Sequence, residues 1–481
     1  MSYSPALTYF LDRLNGFSTN IFRLEPQNNT TATANQIIRF SLPSNALLNT
    51  RSFALWFTAK VEGDGVQNGR LPAKIDSLIE RVEITAGGIQ LSQGVNFYNV
   101  LRHAKDALYG DKCNPTLGHP DILRRHYRDK KNGLANNNMV LANNSLEAST
   151  SLCCIDYWEG FLGTCEPKIL DAAILPDLVI SITLTSNNIL TKSAGVGIPG
   201  DTITTGSTRD PPFTTAPGSG SINFKLENIH ATIESIGLSD AVYDNLVASM
   251  IAQRGFVEVP FKQYVAFDGI HTSSTRFTIA TQSLDRVWMC WRTNNSTSSS
   301  GVPLIVEGHS IFAGTTQNKG AGSGATEFED PILLPQYDGT QVGEKYLSPY
   351  YNFVEPQPVT TGQPIKYQLQ LNGAYYPQFQ ADAEEMVQIS KNSLIGSSYV
   401  KNRTLGQVLS NYFVQTVRLN MPDSEFSRTL SGLDTRSVSL QGYINTQGVT
   451  VTTTDSPRLT VFCECTSTLR IGAGRMLESI M

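Results

Sequence analysis

The sequence predicts an all-β protein made of two similar antiparallel units in tandem, and three observations carry that prediction. Apolar residues alternate with polar ones along many short segments, the pattern of strands with one face in a core. The composition favours strands and turns over helices. A strand–turn–strand–helix pattern in the first half returns in the second half, 285 residues later (373 − 88).

Composition sets the limits. The chain has 481 residues, 40% of them hydrophobic and only 16% charged, against about a quarter charged in an average soluble domain. Ser, Thr, Asn and Gln make up the difference, with 38 glycines and 23 prolines. Ser, Thr and Asn compete with the helix backbone for hydrogen bonds and so suit turns and strands. With 37 basic and 42 acidic residues the net charge is −5, which excludes a polycation whose main partner is nucleic acid. A single core is improbable at this length, and two or three domains are expected. No apolar window of about 20 residues occurs, so no helix is expected to span a bilayer.

The elements follow in order. Residues 1–16, MSYSPALTYFLDRLNG, lack a basic leader region and hold Asp12 within the apolar stretch, unlike a secretory signal. Ser4 as N-cap and Pro5 as first helical residue instead predict a short amphipathic helix, with Leu7, Phe10, Leu11 and Leu14 on one face. That face either docks on its own domain or meets a neighbour or membrane surface. Alternation in FALWFTAKV puts Phe53, Leu55, Phe57, Ala59 and Val61 inward; LVISITLT does so with Leu178, Ile180, Ile182 and Leu184. Helical spacing in FYNVLRHAKDALYG groups Val100, Leu101, Ala104 and Leu108. A central helix is expected from Ser239 or Asp240 to Gly255, striped by Val242, Leu246, Val247, Met250 and Ile251.

In the second half, Phe277 and Ile279 share a face, as do Val287, Met289 and Trp291. Ile365, Tyr367, Leu369 and Leu371 form a third set, and Leu459, Val461, Cys463 and Cys465 a fourth. Residues 187–222 and 294–328 are rich in Ser, Thr, Gly and Pro without periodicity and read as long exposed loops, one per half. The echo pairs VEITAGG (82–88) with YQLQLNG (367–373), each followed by a short strand and a helix candidate, the second being ADAEEMVQIS. The expected organisation is an N-terminal helical segment (1–20), a first β unit (21–236), a connecting helix (237–255) and a second β unit (256–481).

No constellation for catalysis, cofactor or metal binding emerges. Gly195, Gly197 and Gly200 fit G-x-G-x-x-G, but Pro199 and DTITTGSTRDPP follow where a dinucleotide site needs a helix. None of His103, His119, His126, His230, His271 and His309 has zinc-site spacing, and no G-x-S-x-G elbow occurs. Glu384 and Glu385 are adjacent on a helix candidate and so diverge as solvated surface. The seven cysteines (113, 153, 154, 165, 290, 463 and 465) are an odd set. Without a secretory signal they point to a reducing intracellular compartment rather than a disulfide framework. The basic run Arg124, Arg125, His126, Arg128, Lys130 and Lys131 favours a solvated loop balanced by Asp121 and Asp129 over phosphate contact. Asn28, Asn143, Asn294 and Asn402 begin glycosylation sequons but read as Asn-rich turns.

Four segments in order, SLIERVEITAGGIQLSQGVNFYNVL, KLENIHATIESIGLSDAVYDNLV, SGLDTRSVSLQGYIN and FCECTSTLRIGAGRMLE, resemble the major capsid proteins of polinton-like viruses and virophages. That family belongs to the lineage of adenovirus hexon and the capsid proteins of large eukaryotic DNA viruses. The resemblance spans about residues 37–478. It implies a double jelly roll, two eight-stranded antiparallel jelly rolls standing perpendicular to a capsid surface. It further implies homotrimeric, pseudo-hexagonal capsomers in an icosahedral virion shell assembled inside the host cell. The implied partners are neighbouring capsomers, penton and minor capsid proteins, and an inner membrane reached by the N-terminal segment, with no sequence-specific nucleic-acid binding. On the same basis residues 187–222 and 294–328 face outward and residues 1–20 lie at the base. Tyr350, Tyr351, Phe353, Tyr375 and Tyr376, flanked by prolines, are either contact anchors or sheet–loop packing. The competing functional reading is a carbohydrate- or receptor-binding protein of paired β-sandwiches.

Overall fold

A computed structural model describes residues 17–109, 152–192, 222–238, 252–292, 302–306, 346–347, 353–394 and 408–481, apart from short gaps within these ranges. Eight principal strands build the first half: β1 (Phe17–Leu24), β2 (Ile37–Ser41), β3 (Leu47–Gly63), β4 (Ile79–Ala86), β5 (Ile89–Gln90), β6 (Ile169–Asp171), β7 (Leu178–Leu184) and β8 (Ile222–Leu238). Eight more build the second: β9 (Phe256–Ile270), β10 (Ser274–Ile279), β11 (Leu284–Arg292), β12 (Lys366–Leu371), β13 (Ala374–Ala381), β14 (Val414–Arg418), β15 (Leu440–Gln447) and β16 (Arg458–Gly472). Helix α1 (Tyr98–Tyr109) and the single turn α2 (Phe161–Thr164) lie between β5 and β6, and α3 (Ala383–Ser393) lies between β13 and β14.

The sheet orders are β1-β8-β3-β6 facing β2-β7-β4-β5, then β9-β16-β11-β14 facing β10-β15-β12-β13. Adding eight to each strand number of the first half reproduces the second. Neighbours in all four sheets are antiparallel. This order is a jelly roll, built twice. The echo falls on equivalent hairpins. Ala86 pairs with Ile89 across Gly87-Gly88, and Leu371 pairs with Ala374 across Asn372-Gly373. All four turn residues have positive φ (47° to 88°), the two-residue turn whose twist matches the strands.

Alternation delivers the predicted inner faces. Phe53, Leu55, Phe57 and Ala59 are buried against Ile38, Phe40, Val82, Ile84, Ile180 and Ile182, with Phe40 and Phe53 edge-to-face at 6.0 Å. In the second roll Val287, Met289, Trp291, Leu459, Val461 and Cys463 join Ile365, Tyr367, Leu369 and Leu371. Each such side chain contributes on the order of 1.5–3 kcal/mol on burial.

Three expectations change. Residues 17–20, placed in the N-terminal helical segment, are strand: Phe17–Leu24 pairs fully with Ala231–Leu238, which rewards β-formers after Gly16 more than a further helical turn would. Residues 237–238, placed in the connecting helix, finish β8 for the same reason. The third concerns β11, expected to turn one face outward; all nine of its residues are buried. Residues 1–16 and 239–251, hence most of both predicted helices, lie outside the described residues.

Candidate interaction surfaces

The reason for the double burial of β11 is the junction between the rolls. Val287, Met289 and Trp291 enter the second core, whereas Trp288 and Cys290 belong to the first roll's core, with Tyr264 of β9 and Phe462 of β16. Helix α1 of the first roll rests on this outward face. Arg102 of α1 is fully buried, with Nε donating to Asp76 Oδ2 at 3.1 Å and Nη1 to Glu159 Oε1 at 3.2 Å. Lys105, one turn on, donates to Glu159 Oε2 and to the Tyr264 hydroxyl, both at 2.6 Å. Its ammonium also sits 5.8 Å from the Trp288 ring centroid. Across the junction Glu464 accepts from Trp288 Nε1 at 2.9 Å and Arg286 Nη1 at 3.4 Å. Burial alone would raise the Glu464 carboxyl; Arg286, Lys105 and Lys262 outweigh it and hold the group below its ordinary range.

The backbone seals the same junction. Glu166 N donates to Pro260 O at 3.0 Å, and Lys262 N to Thr164 Oγ1 at 2.8 Å. The outer edge of β9 is thus capped by the α2 segment of the first roll, where Phe161 packs edge-to-face on Phe261 at 5.1 Å. Higher up, Asp268 accepts from Arg292 Nη2 at 3.0 Å and Thr460 Oγ1 at 2.6 Å, and also pairs with Arg458. Glu80 of the first roll accepts from Asn99 and Thr185 at 3.2 and 3.1 Å. Burial raises its carboxyl, against those hydrogen bonds and nearby Arg292.

The two ends of the molecule differ. Gly69–Arg70, Thr191–Lys192 and Val302–Pro303 form a small sheet, joining the β3–β4 and β7–β8 connections of the first roll to the β11–β12 connection of the second. The two Ser/Thr/Gly/Pro-rich stretches therefore spring from one end, although residues 193–221 and 307–345 are outside the described residues. Phe17, Leu238, Phe256 and Gly472 lie at the opposite end, where Leu477–Ile480 adds to β16.

The remaining sequence candidates scatter. Gly195, Gly197 and Gly200, the basic run 124–131, and Tyr350 and Tyr351 lie outside the described residues. Phe353 is buried and bridges Arg292 and Tyr412, so it is packing. Tyr375 is exposed and Tyr376 half-buried on the edge strand β13, with Phe379 exposed beside them. Glu385 closes a capping box with Asp382, each backbone N–H reaching the other's carboxylate at 2.9 Å. The six described cysteines are buried free thiols, and burial first, then Asp156, lifts Cys154 to about 12. His271 sits between Thr275 Oγ1 and Thr446 Oγ1 at 2.6 and 2.7 Å, and burial lowers it to about 4. No group of three or more His, Cys, Asp or Glu among the described residues is placed to hold a metal ion. Sequence reasoning missed Asp76, Arg102, Lys105, Glu159 and Glu464. Their one signal was Trp288 and Cys290 on the face of β11 expected to meet solvent.

The strand order defines a double jelly roll, two eight-stranded jelly rolls in one chain sharing a buried junction. Solved structures agree in fold. The chain is similar to VP54 of PBCV-1, as fitted into a reconstruction of the virophage Sputnik, at 12% identity and a TM-score of 0.53 over 98% of both chains. It is similar to the Faustovirus major capsid protein at 10% identity and a TM-score of 0.53, over 96% of this chain and 92% of that one. The PBCV-1 capsid quasi-atomic model matches at 12% identity and a TM-score of 0.50, over 98% of both chains. No protein-family model and no curated sequence matches the chain.

Proposed function

We propose that this chain is a viral major capsid protein, a non-enzymatic building block that trimerises into pseudo-hexagonal capsomers of an icosahedral virion shell. The observation that carries the reading is the exact eight-strand repeat: two equivalent rolls in each of three chains present six similar units around one axis, as hexagonal tiling requires. Capsid proteins of PBCV-1 and Faustovirus share the fold across nearly the whole length. The sparse charge suits a surface occupied by copies of itself. In this reading the end bearing the long loops faces outward and the end with Phe17 and Leu477–Ile480 faces the interior, where minor capsid proteins or a membrane would meet residues 1–16. Tyr375 and Phe379 on edge strand β13 are candidate contact anchors.

Light scattering and negative-stain imaging of the purified chain test the reading. Threefold particles or closed shells are expected; a persistent monomer at micromolar concentration overturns it. Micromolar or tighter binding on a glycan array by such a monomer would favour the carbohydrate-binding alternative. Deleting residues 202–218 is expected to leave trimers intact, since the loop leaves from the outward end. Loss of trimers would place it in an interface.

A further inference from the structure

The repeat that relates the two rolls breaks in one place. In the first roll the 17-residue β3 runs beside β8 nearly to its end, and its opening residues Leu47–Asn49 pair with Glu234–Ile236. In the second roll the equivalent strand β11 has nine residues and pairs with β16 only from Arg458 to Cys465. Ser283 O still takes the Thr466 amide at 3.0 Å. Beyond that point the lane beside Thr468–Ile471 is filled by a different segment. Leu477–Ile480 pairs there antiparallel, with Leu477 beside Ile471 and Ile480 beside Thr468.

This short strand straddles the rolls at the end opposite the long loops. Gln282 of the second roll, itself buried, donates from its backbone N to Met481 O at 3.0 Å and from Nε2 to Ile480 O at 3.5 Å. The same Nε2 donates to Thr468 Oγ1 at 2.9 Å, so one side chain ties both walls of the lane. On the first roll, Ser479 Oγ donates to Leu91 O, directly after β5, at 3.1 Å. Leu477 packs against the first roll's core and Met481 against the second's. Glu478 and Ser479 are exposed, and the Glu478 carboxylate is 3.7 Å from Arg470 Nη1 at the surface. Gly472 N donates to Met476 O at 2.8 Å, which keeps the segment poised over the lane. What holds it is backbone pairing and half-buried apolar side chains, in contrast to the buried ions that hold α1.

We infer that the lane bounded by Thr468–Ile471, Gln282 and Leu91 is a strand-addition site, and that residues 477–481 are a separable latch occupying it. The latch opens without unfolding either roll, and a free extended peptide of the same pattern replaces it: one apolar residue, two polar, two apolar. Main-chain hydrogen bonds to β16 supply the affinity, and the contacts of Leu477, Ile480 and Met481 supply the selection. Opening bares the flank of Thr468–Ile471, a template for another strand. It also releases Leu91 from Ser479, so this end of the junction loosens while Arg102, Glu159 and Lys105 keep the rolls together. The site needs no second copy of the chain and does not rest on the capsid reading.

Hydrogen exchange read by mass spectrometry tests it. In the full chain, residues 477–481 should exchange at least about tenfold faster than residues 284–292 of β11; equal rates would mean that the segment opens only with the roll and would overturn the inference. A chain shortened to residues 1–476 should keep its circular dichroism spectrum and exchange at least about tenfold faster at 468–471. A synthetic peptide of residues 476–481, added at millimolar concentration, should restore that protection saturably. The same peptide with aspartate in place of Leu477 and Ile480 should not. Failure of the shortened chain to fold, no restoration, or equal restoration by both peptides overturns the inference. As a second readout in the full chain, Gln282→Ala should speed exchange at 477–481 and leave 284–292 unchanged. Unaltered exchange at 477–481 contradicts the assignment.

Discussion

Two sheets of one topology, β9-β16-β11-β14 and β1-β8-β3-β6, live in different surroundings. The first carries Trp288, Tyr264, Phe462 and Glu464 on its outward face, all buried beneath the other roll. The second carries Trp56, His230, Thr232 and Glu234 at the same level, all half-buried. Topology dictates which side chains point outward; what covers them dictates whether ions can be buried there. The covered sheet holds Glu464 and its Arg286 and Trp288 donors, facing the Asp76–Arg102–Glu159–Lys105 chain across the junction. The open sheet keeps an aromatic stack and a hydrogen bond that water can share.

Inside the rolls the two halves should respond alike. Leu369 on β12 and Ile84 on β4 occupy equivalent buried positions, at the echo's offset of 285 residues. A carboxylate there has no partner, and its desolvation exceeds the several kcal/mol by which a domain is stable. Leu369→Asp and Ile84→Asp are each expected to abolish soluble expression. Normal folding of either would show that the facing of that strand is wrong.

At the junction the responses should diverge from those of ordinary surface pairs. Glu159→Ala leaves Arg102 and Lys105 buried with one anion fewer, a loss of about 3–5 kcal/mol. Arg23–Glu25 on the open sheet is an exposed pair at 2.8 Å, and its removal should cost about 0–1 kcal/mol. Urea denaturation of Glu159→Ala and Glu25→Ala measures both, and comparable losses would break the contrast. The tryptophans sharpen it. Trp288→Ala should cost about 3–5 kcal/mol in the isolated chain. Trp56→Ala should cost distinctly less there, because its ring is only half-buried.

The difference between the sheets also marks what the sequence can disclose. Alternation reports whether a strand has an inner face, and it placed Leu178, Ile180, Ile182, Ile365, Leu369 and Val461 correctly because one sandwich suffices to bury them. The hairpins at Gly87-Gly88 and Asn372-Gly373 were legible because a two-residue turn with positive φ needs particular residues. The junction was not legible. In α1 the apolar stripe of Val100, Leu101, Ala104 and Leu108 was visible, yet Arg102 and Lys105 beside it are buried as well. A charged side chain reads as solvated until its partners are known, and Glu159 and Tyr264 lie 54 and 159 residues from Lys105. Local pattern carries no information about pairing at that separation.

The rolls should also part company in acid. His271 of the second roll is lowered from 6.5 to about 4 by burial, so the folded chain resists a proton that the unfolded chain accepts. Its contribution is intact above about pH 6.5 and declines as pH falls towards 4, by about 2 kcal/mol at pH 5. Glu80 of the first roll is raised by burial, so the folded chain accepts a proton more readily than the unfolded one. Acidification relieves a penalty there, the opposite sign. Stability measured against pH for His271→Gln and Glu80→Gln, each relative to the parent chain, separates the two. The His271→Gln difference should become more favourable as pH falls from 6.5 to 5, because the variant has no imidazole to charge. The Glu80→Gln difference should become less favourable as pH falls, since the parent approaches the neutral form that the amide mimics. Parallel curves would show that the two buried groups do not titrate as their surroundings dictate.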